Sequence, residues 1–136
     1  MNFWIFQSIP DRYDLRQKLV EGKKVTWYAT RYRSLMEIGD IVFFWLAGQE
    51  NIRGIYGWGN IDSEPYIKPN WNSHGVDVIF KKRLSHHISV NKIKSNPSLK
   101  DLVILRAPQA TNFLLSKSEA KALTDMMNST ERPQEV

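Results

Sequence analysis

The sequence contains no cysteine. That excludes a disulfide scaffold, a thiol nucleophile and any zinc site built on thiolates, and it fits a reducing compartment. Long hydrophobic runs are missing too. The longest, from Ile41 to Ala47, falls far short of the ~20 apolar residues a membrane helix needs. The N-terminus lacks the basic, apolar and small-residue order of a secretory signal. A soluble, cytoplasmic protein with no membrane partner is therefore expected.

Catalytic apparatus is equally sparse. No Gly-x-Gly-x-x-Gly and no Gly-Lys-Ser/Thr is present, so no nucleotide cofactor is expected, and no other cofactor is called for. Gly54, Gly57 and Gly59 fit neither spacing. The three histidines are His74, His86 and His87. The last two are neighbours on or just after a strand, so they point to opposite faces and do not chelate one ion together. No Gly-x-Ser-x-Gly elbow exists. The acids open to a nuclease reading, Asp62, Glu64 and Asp77, lack the clustering that would hold metal ions. The expected protein is not an enzyme.

What the chain does have is positive charge and aromatic rings. Among 136 residues, 19 Lys and Arg stand against 14 Asp and Glu, a formal net charge of +5. The bases are clustered. Lys81, Lys82, Arg83, Lys92, Lys94 and Lys100 fall in one stretch without an acid, and Lys23, Lys24, Arg31 and Arg33 fall in another. Clustered positive charge attracts polyanions, which makes nucleic acid the leading partner class. Arg31, Arg33, Lys81, Lys82 and Arg83 are the expected phosphate contacts. Such contacts position a nucleic acid but carry no specificity. Five Trp, five Tyr and six Phe supply more rings than charge would need. Most suit a core, but Trp27 precedes a turn carrying Thr30, Arg31 and Arg33. A ring beside hydroxyls and guanidinium groups can stack a base, bond its edge and hold its phosphate, and stacking contributes roughly 1–3 kcal/mol per base.

The pattern along the chain is mostly β. Residues 2–7 are an apolar, aromatic strand. Asp14 caps a short helix running to Val20, and Val25 to Ala29 is strand-like. A helical turn follows from Arg31 to Met36, and Ile41 to Leu46 is a strand buried on both faces. Ile52 to Ile61 is a strand whose three glycines mark bulges or the close approach of another backbone. Residues 62–74 read as a long loop and 75–84 as a half-exposed strand. Short helical turns surround Pro97. Ser116 and Glu119 have capping-box spacing ahead of an apolar stripe of Ala120, Leu123 and Met127. One domain over 1–128 with a flexible tail over 129–136 is expected. The fold class is α+β, a compact barrel of five to six strands with short flanking helices.

In order along the chain stand Phe3-Trp-Ile-Phe-Gln-Ser-Ile-Pro10, Trp27, Met36-Glu-Ile-Gly-Asp-Ile-Val-Phe-Phe-Trp45, Arg53-Gly-Ile-Tyr-Gly-Trp-Gly59 and Arg106-Ala-Pro-Gln-Ala-Thr-Asn-Phe113. This succession resembles the EVE domain, a PUA-like family related to the YTH domain, over roughly residues 2–127. The resemblance implies a PUA-like β-barrel with a pocket for one modified, flipped-out base. By position it implies Ser8 at the base edge, Trp27 as the pocket tryptophan, and Thr30, Thr111 and Asn112 as polar readers. Trp45 and Trp58 are further wall candidates. The sequence departs from the family at Ile9, where Glu is common, and at Ala110, where Gly is common before Thr-Asn. The expected function is a non-enzymatic reader of a modified base in DNA, a modified cytosine. The open alternatives are a reader of modified RNA, a protein-interaction module and a small nuclease. A separate effector protein is the expected second partner.

Overall fold

The structure, a computed structural model, describes residues 1–134 and 136. Seven strands form one curled, mixed sheet. They are β1 (Phe3–Ser8), β2 (Lys24–Tyr28), β3 (Ile41–Leu46), β4 (Gly54–Ile61), β5 (Tyr66–Lys68), β6 (Ser73–Ser89) and β7 (Asn112–Leu115). The order across the sheet is β2-β6-β4-β3-β1-β7, with β5 paired to β6. β1 runs parallel to β3, and every other pairing is antiparallel. Among the described residues, four short α-helices flank the strands: α1 (Leu15–Lys18), α2 (Val90–Ser95), α3 (Val103–Arg106) and, after β7, α4 (Lys117–Asp125). This is the expected α+β class, with the expected barrel curled as a half-barrel and one strand more than expected.

Alternation along the strands explains the two cores. Side chains two residues apart share a face of a strand. Trp4 and Phe6 of β1, Val42 and Phe44 of β3, and Val78 and Phe80 of β6 point into the curl. Phe3, Ile5, Phe43 and Trp45 point outward, where they pack against Val90, Ile93, Ile104 and Leu123 of the helices. β3 is therefore buried along its full length, as its unbroken apolar run predicts. Removing a fully buried ring such as Phe6 or Phe44 from water stabilises the fold by about 2–3 kcal/mol.

The Gly-Asp before β3 has a physical reason. Gly39 sits at φ +95°, a left-handed conformation that favours glycine. Asp40 is buried beside it, and its carboxylate accepts hydrogen bonds from the Trp4 Nε1 and from the backbone N–H groups of Asn2 and Glu37, each at 3.0 Å. One carboxylate thereby ties the start of β1 to the start of β3. The strand glycines also behave as expected. β4 shifts register at Ile55/Gly57 and at Trp58/Gly59. A Cβ on Gly59 would collide with the Ile79 carbonyl, so the tight curl of β4 on β6 requires glycine there.

Several details differ from expectation. α1 ends at Lys18, short of Val20, because Gly22 turns back to bond the Phe80 carbonyl. The expected loop 62–74 contains β5. β6 runs to Ser89, since its pairing with β4 resumes beyond the bulges. The flexible tail expected over 129–136 is tied down where it is described. Trp58 Nε1 donates to the Glu131 carbonyl at 2.7 Å, the Glu131 carboxylate accepts from Ser85, and Pro133 is buried. Among the described residues, no helix is long and apolar enough to cross a membrane.

Candidate functional site

The sheet curls until its two outer strands, β2 and β7, come together, and Asn112 joins them. Its Nδ2 donates to the Tyr28 carbonyl at 2.9 Å, while its Oδ1 accepts from the Thr30 backbone N–H at 2.9 Å. Trp27 Nε1 adds a bond to the Gln7 carbonyl at 3.2 Å. Beside this seam opens a cavity of about 770 Å³, within the range of roughly 300–1,000 Å³ typical of small-molecule sites. The end of β1, the turn after it, β2 and the segment before β7 all contribute to its lining.

Trp27 lines the cavity from β2. It is only 6% exposed, because its ring packs against Phe6, Tyr13, Phe44 and Phe80 at centroid distances of 5.2–6.5 Å. A ring held from four sides is preorganised, with little side-chain freedom left to lose. Tyr28 and Trp71 form a second aromatic wall, with ring centroids 4.3 Å apart and planes at 32°. Lys68 Nζ stands 5.4 Å from the Trp71 ring centre. Thr26 donates to Asp77 at 2.9 Å, and Tyr66 donates to the same carboxylate oxygen at 2.7 Å. These bonds fix the base of this wall on β2, β5 and β6.

Ser8 closes the end of β1. Its hydroxyl is buried and, among the described residues, has no hydrogen-bond partner. Tyr13, in the turn that follows, carries a second buried hydroxyl without a partner among the described residues, and burial raises the pKa of that phenol above its ordinary value. The opposite rim is held by Gln7, whose Nε2 donates to the carbonyls of Pro108 and Ala110 at 2.9 and 2.8 Å. Arg12 lines the mouth, and among the described residues its guanidinium has no ion-pair partner.

Of the residues expected at a site, the fold brings Ser8, Trp27 and Thr111 to the cavity. Thr30 adjoins it through the Asn112 seam. Asn112 itself is fully buried, with its Oδ1 and one Nδ2 hydrogen engaged by the backbone, so it clamps the seam. Trp45 and Trp58 lie on the other face of the sheet. Trp45 is 1% exposed among the helix-side core residues, and Trp58 packs against that same core. Strand alternation sends both away from the curl.

The expected phosphate contacts divide likewise. Arg31 and Arg33 lie in the segment just after the cavity-lining Tyr28, and the Arg33 guanidinium donates to the Ala29 carbonyl at 3.2 Å. Lys81, Lys82 and Arg83 lie further along β6. Cavity residues pair with Gly75–Val78, and Arg83 pairs with Gly57, roughly 17 Å away at strand spacing. The Arg83 guanidinium is spent on the carbonyls of Leu15, Arg16 and Leu19, and Lys82 pairs with Glu21 at 3.7 Å. Two of the three acids open to a nuclease reading are also committed: Asp62 pairs with Lys24 at 2.6 Å, and Asp77 serves Thr26 and Tyr66, while Glu64 is exposed. No cluster of three His, Asp or Glu side chains suited to a metal exists among the described residues.

Sequence reasoning missed Gln7, Arg12, Tyr13, Tyr28 and Trp71. A polar Gln ending an aromatic strand was the available signal for Gln7. Trp71 had none, since it stood in an apparent loop.

The EVE domain family model matches residues 2–126. This chain belongs to the EVE domain family. Solved structures agree on the fold. The protein Atu2648 from Agrobacterium tumefaciens superposes with a TM-score of 0.78 at 17% identity, over 98% of this chain and 100% of that one. Human THYN1, solved in complex with 5-methylcytosine-containing DNA, gives a TM-score of 0.73 at 18% identity, covering 93% and 97%. The Toxoplasma CPSF4-YTH domain gives 0.58 at 17%, covering 97% and 87%. No curated protein matches the sequence significantly. The curled sheet is thus the PUA-like architecture shared by EVE and YTH domains, and in this EVE domain the cavity opens beside the β2–β7 seam.

Proposed function

We propose that this EVE domain is a non-catalytic reader of a modified base in DNA, with 5-methylcytosine as the first mark to test. The observation that carries the reading is the cavity itself: a rigidly packed Trp27, a Tyr28–Trp71 wall and an unpartnered Ser8 hydroxyl converge on a space large enough for one base. In this reading the base leaves its stack, lies against Trp27 and exposes a polar edge to Ser8 and Thr111. Extrusion costs a few kcal/mol, which stacking at roughly 1–3 kcal/mol per base offsets in large part. In this reading Arg12, which lines the cavity, Lys68 beside the Trp71 ring, and Arg31 and Arg33 in the segment after Tyr28 supply the phosphate contacts. The 5-methylcytosine DNA bound by human THYN1, a protein of the same fold, supports this choice of ligand.

The test is a titration at one fixed salt concentration, following tryptophan fluorescence. The oligonucleotides carry 5-methylcytosine, 5-hydroxymethylcytosine, N6-methyladenine or no modification, each as DNA and as RNA. Tighter binding to modified DNA, abolished in Trp27→Ala, is the expected result. Residual binding of that variant should be weak and strongly salt-dependent. Preference for the RNA forms would redirect the reading to modified RNA. Equal binding to every form would refute base reading altogether.

A further inference from the structure

Five buried side-chain polar atoms lack a hydrogen-bond partner among the described residues, and two of them, Ser8 Oγ and Tyr13 Oη, belong to residues lining the cavity. A buried hydroxyl without a partner has lost its hydration with no replacement, and the fold is less stable for it. Alanine at position 8 or phenylalanine at position 13 would pack the same space without that cost. Tyr13 is also held in place. Its backbone N–H donates to the Ile9 carbonyl at 2.9 Å, and its ring stands edge-on to Trp27, with centroids 5.8 Å apart and planes at 77°. A flat ligand lying against Trp27 therefore meets Tyr13 at its periphery. Because burial raises the phenol's pKa, the hydroxyl keeps its proton at neutral pH and can donate or accept. Ser8 is 7% exposed, and its carbonyl already receives the Ala47 N–H at 2.9 Å, so its backbone is fixed and its hydroxyl alone is free to bond.

We propose that Tyr13 is a specificity-determining residue, its hydroxyl acting with that of Ser8 as the hydrogen-bonding end of the cavity for the polar edge of the bound base. This rests on the base-reading proposal above. The partner missing from both hydroxyls is the ligand.

The two roles a tyrosine can have here, structural or ligand-binding, move different observables. The experiment compares wild type, Tyr13→Phe and Ser8→Ala in two measurements. One is fluorescence-anisotropy binding to DNA 12-mers carrying a single central 5-methylcytosine, 5-hydroxymethylcytosine, N6-methyladenine or unmodified base. The other is urea unfolding without DNA. Tyr13→Phe keeps the ring and removes only the hydroxyl. The expected result is roughly 10-fold weaker binding to the preferred 12-mer, the size of one net hydrogen bond. Its unfolding midpoint should be unchanged or raised, because no protein bond is lost. Ser8→Ala should behave the same way. A wild type that prefers one modified 12-mer, with the same preference in Tyr13→Phe, overturns this inference and leaves base reading intact. A lowered midpoint with equal losses on every 12-mer also overturns it, since that is the signature of a packing residue. A wild type that prefers none of the 12-mers overturns base reading and this inference together.

Discussion

Asn112→Ala tests whether the half-barrel is closed by one side chain. The substitution removes the two 2.9 Å bonds to Tyr28 and Thr30 and the longer 3.4 Å contact from the Thr30 hydroxyl. Each good bond contributes about 1 kcal/mol net, and a buried group left without a partner costs about 1–3 kcal/mol more. Tyr28 and Thr30 are exposed residues, so water recovers part of the second cost. A total near 2–3 kcal/mol results. For a chain of 136 residues this lowers the midpoint by roughly 10 °C. It leaves a folded protein if total stability lies in the usual range of about 5–15 kcal/mol. Urea denaturation read by circular dichroism measures it directly. Asn112→Asp is the sharper companion. It keeps an acceptor for Thr30 but turns a carboxylate oxygen toward the Tyr28 carbonyl in a fully buried place. At neutral pH it should be no more stable than Asn112→Ala. It should gain on that variant as pH falls, because burial favours the protonated acid, which can donate to the carbonyl. Asn112→Ala within about 0.5 kcal/mol of wild type, together with lost DNA discrimination, would refute the clamp and restore Asn112 as a reader of the base.

The two arginine sets should separate in salt titrations: Arg31→Ala should reduce the slope of log K against log salt by about 1. Arg83→Ala should leave that slope alone and lower the unfolding midpoint, since its guanidinium serves three backbone carbonyls. Gly59→Ala should destabilise by more than about 2 kcal/mol or abolish soluble expression, because its Cβ would strike the Ile79 carbonyl. His87, stacked on Tyr56, has its pKa lowered by burial and secondarily by Lys92. Between the lowered folded pKa and the ordinary value near 6.5, the unfolded chain binds more protons. His87 therefore stabilises the fold above about pH 6.5, and that contribution is lost on acidification. Urea midpoints at pH 7 and 5.5 should fall further for wild type than for His87→Gln, and equal falls would refute the assignment.

Much of the fold was written locally. The unbroken apolar run of β3, the alternation of β6, the capping box of α4 and the glycines of β4 each state a need that neighbouring residues in the chain already reveal. Burial on both faces, burial on one face, unpaired N–H groups and a backbone in close contact all leave a mark in residue type and spacing. Trp27 was legible because it precedes a turn carrying Thr30, Arg31 and Arg33, whereas Ser8 was legible only through the resemblance to the EVE domain. Partner choice across the fold left no such mark. Asn112 looked like a free amide until the curl brought Tyr28 and Thr30 against it, and Arg83 looked like a free cation until α1 turned its carbonyls toward it. Trp45 and Trp58 carry the same ring as Trp27, yet strand alternation and the closing of the sheet sent them to the opposite face. Trp71 reached the cavity only because β5 paired with β6. The sequence by itself determined most of the strands and which residues are able to stack or bond. Only the tertiary structure decided which polar groups the fold consumes and which it leaves for a ligand, because a hydrogen bond is settled by the partner that arrives from elsewhere in the chain.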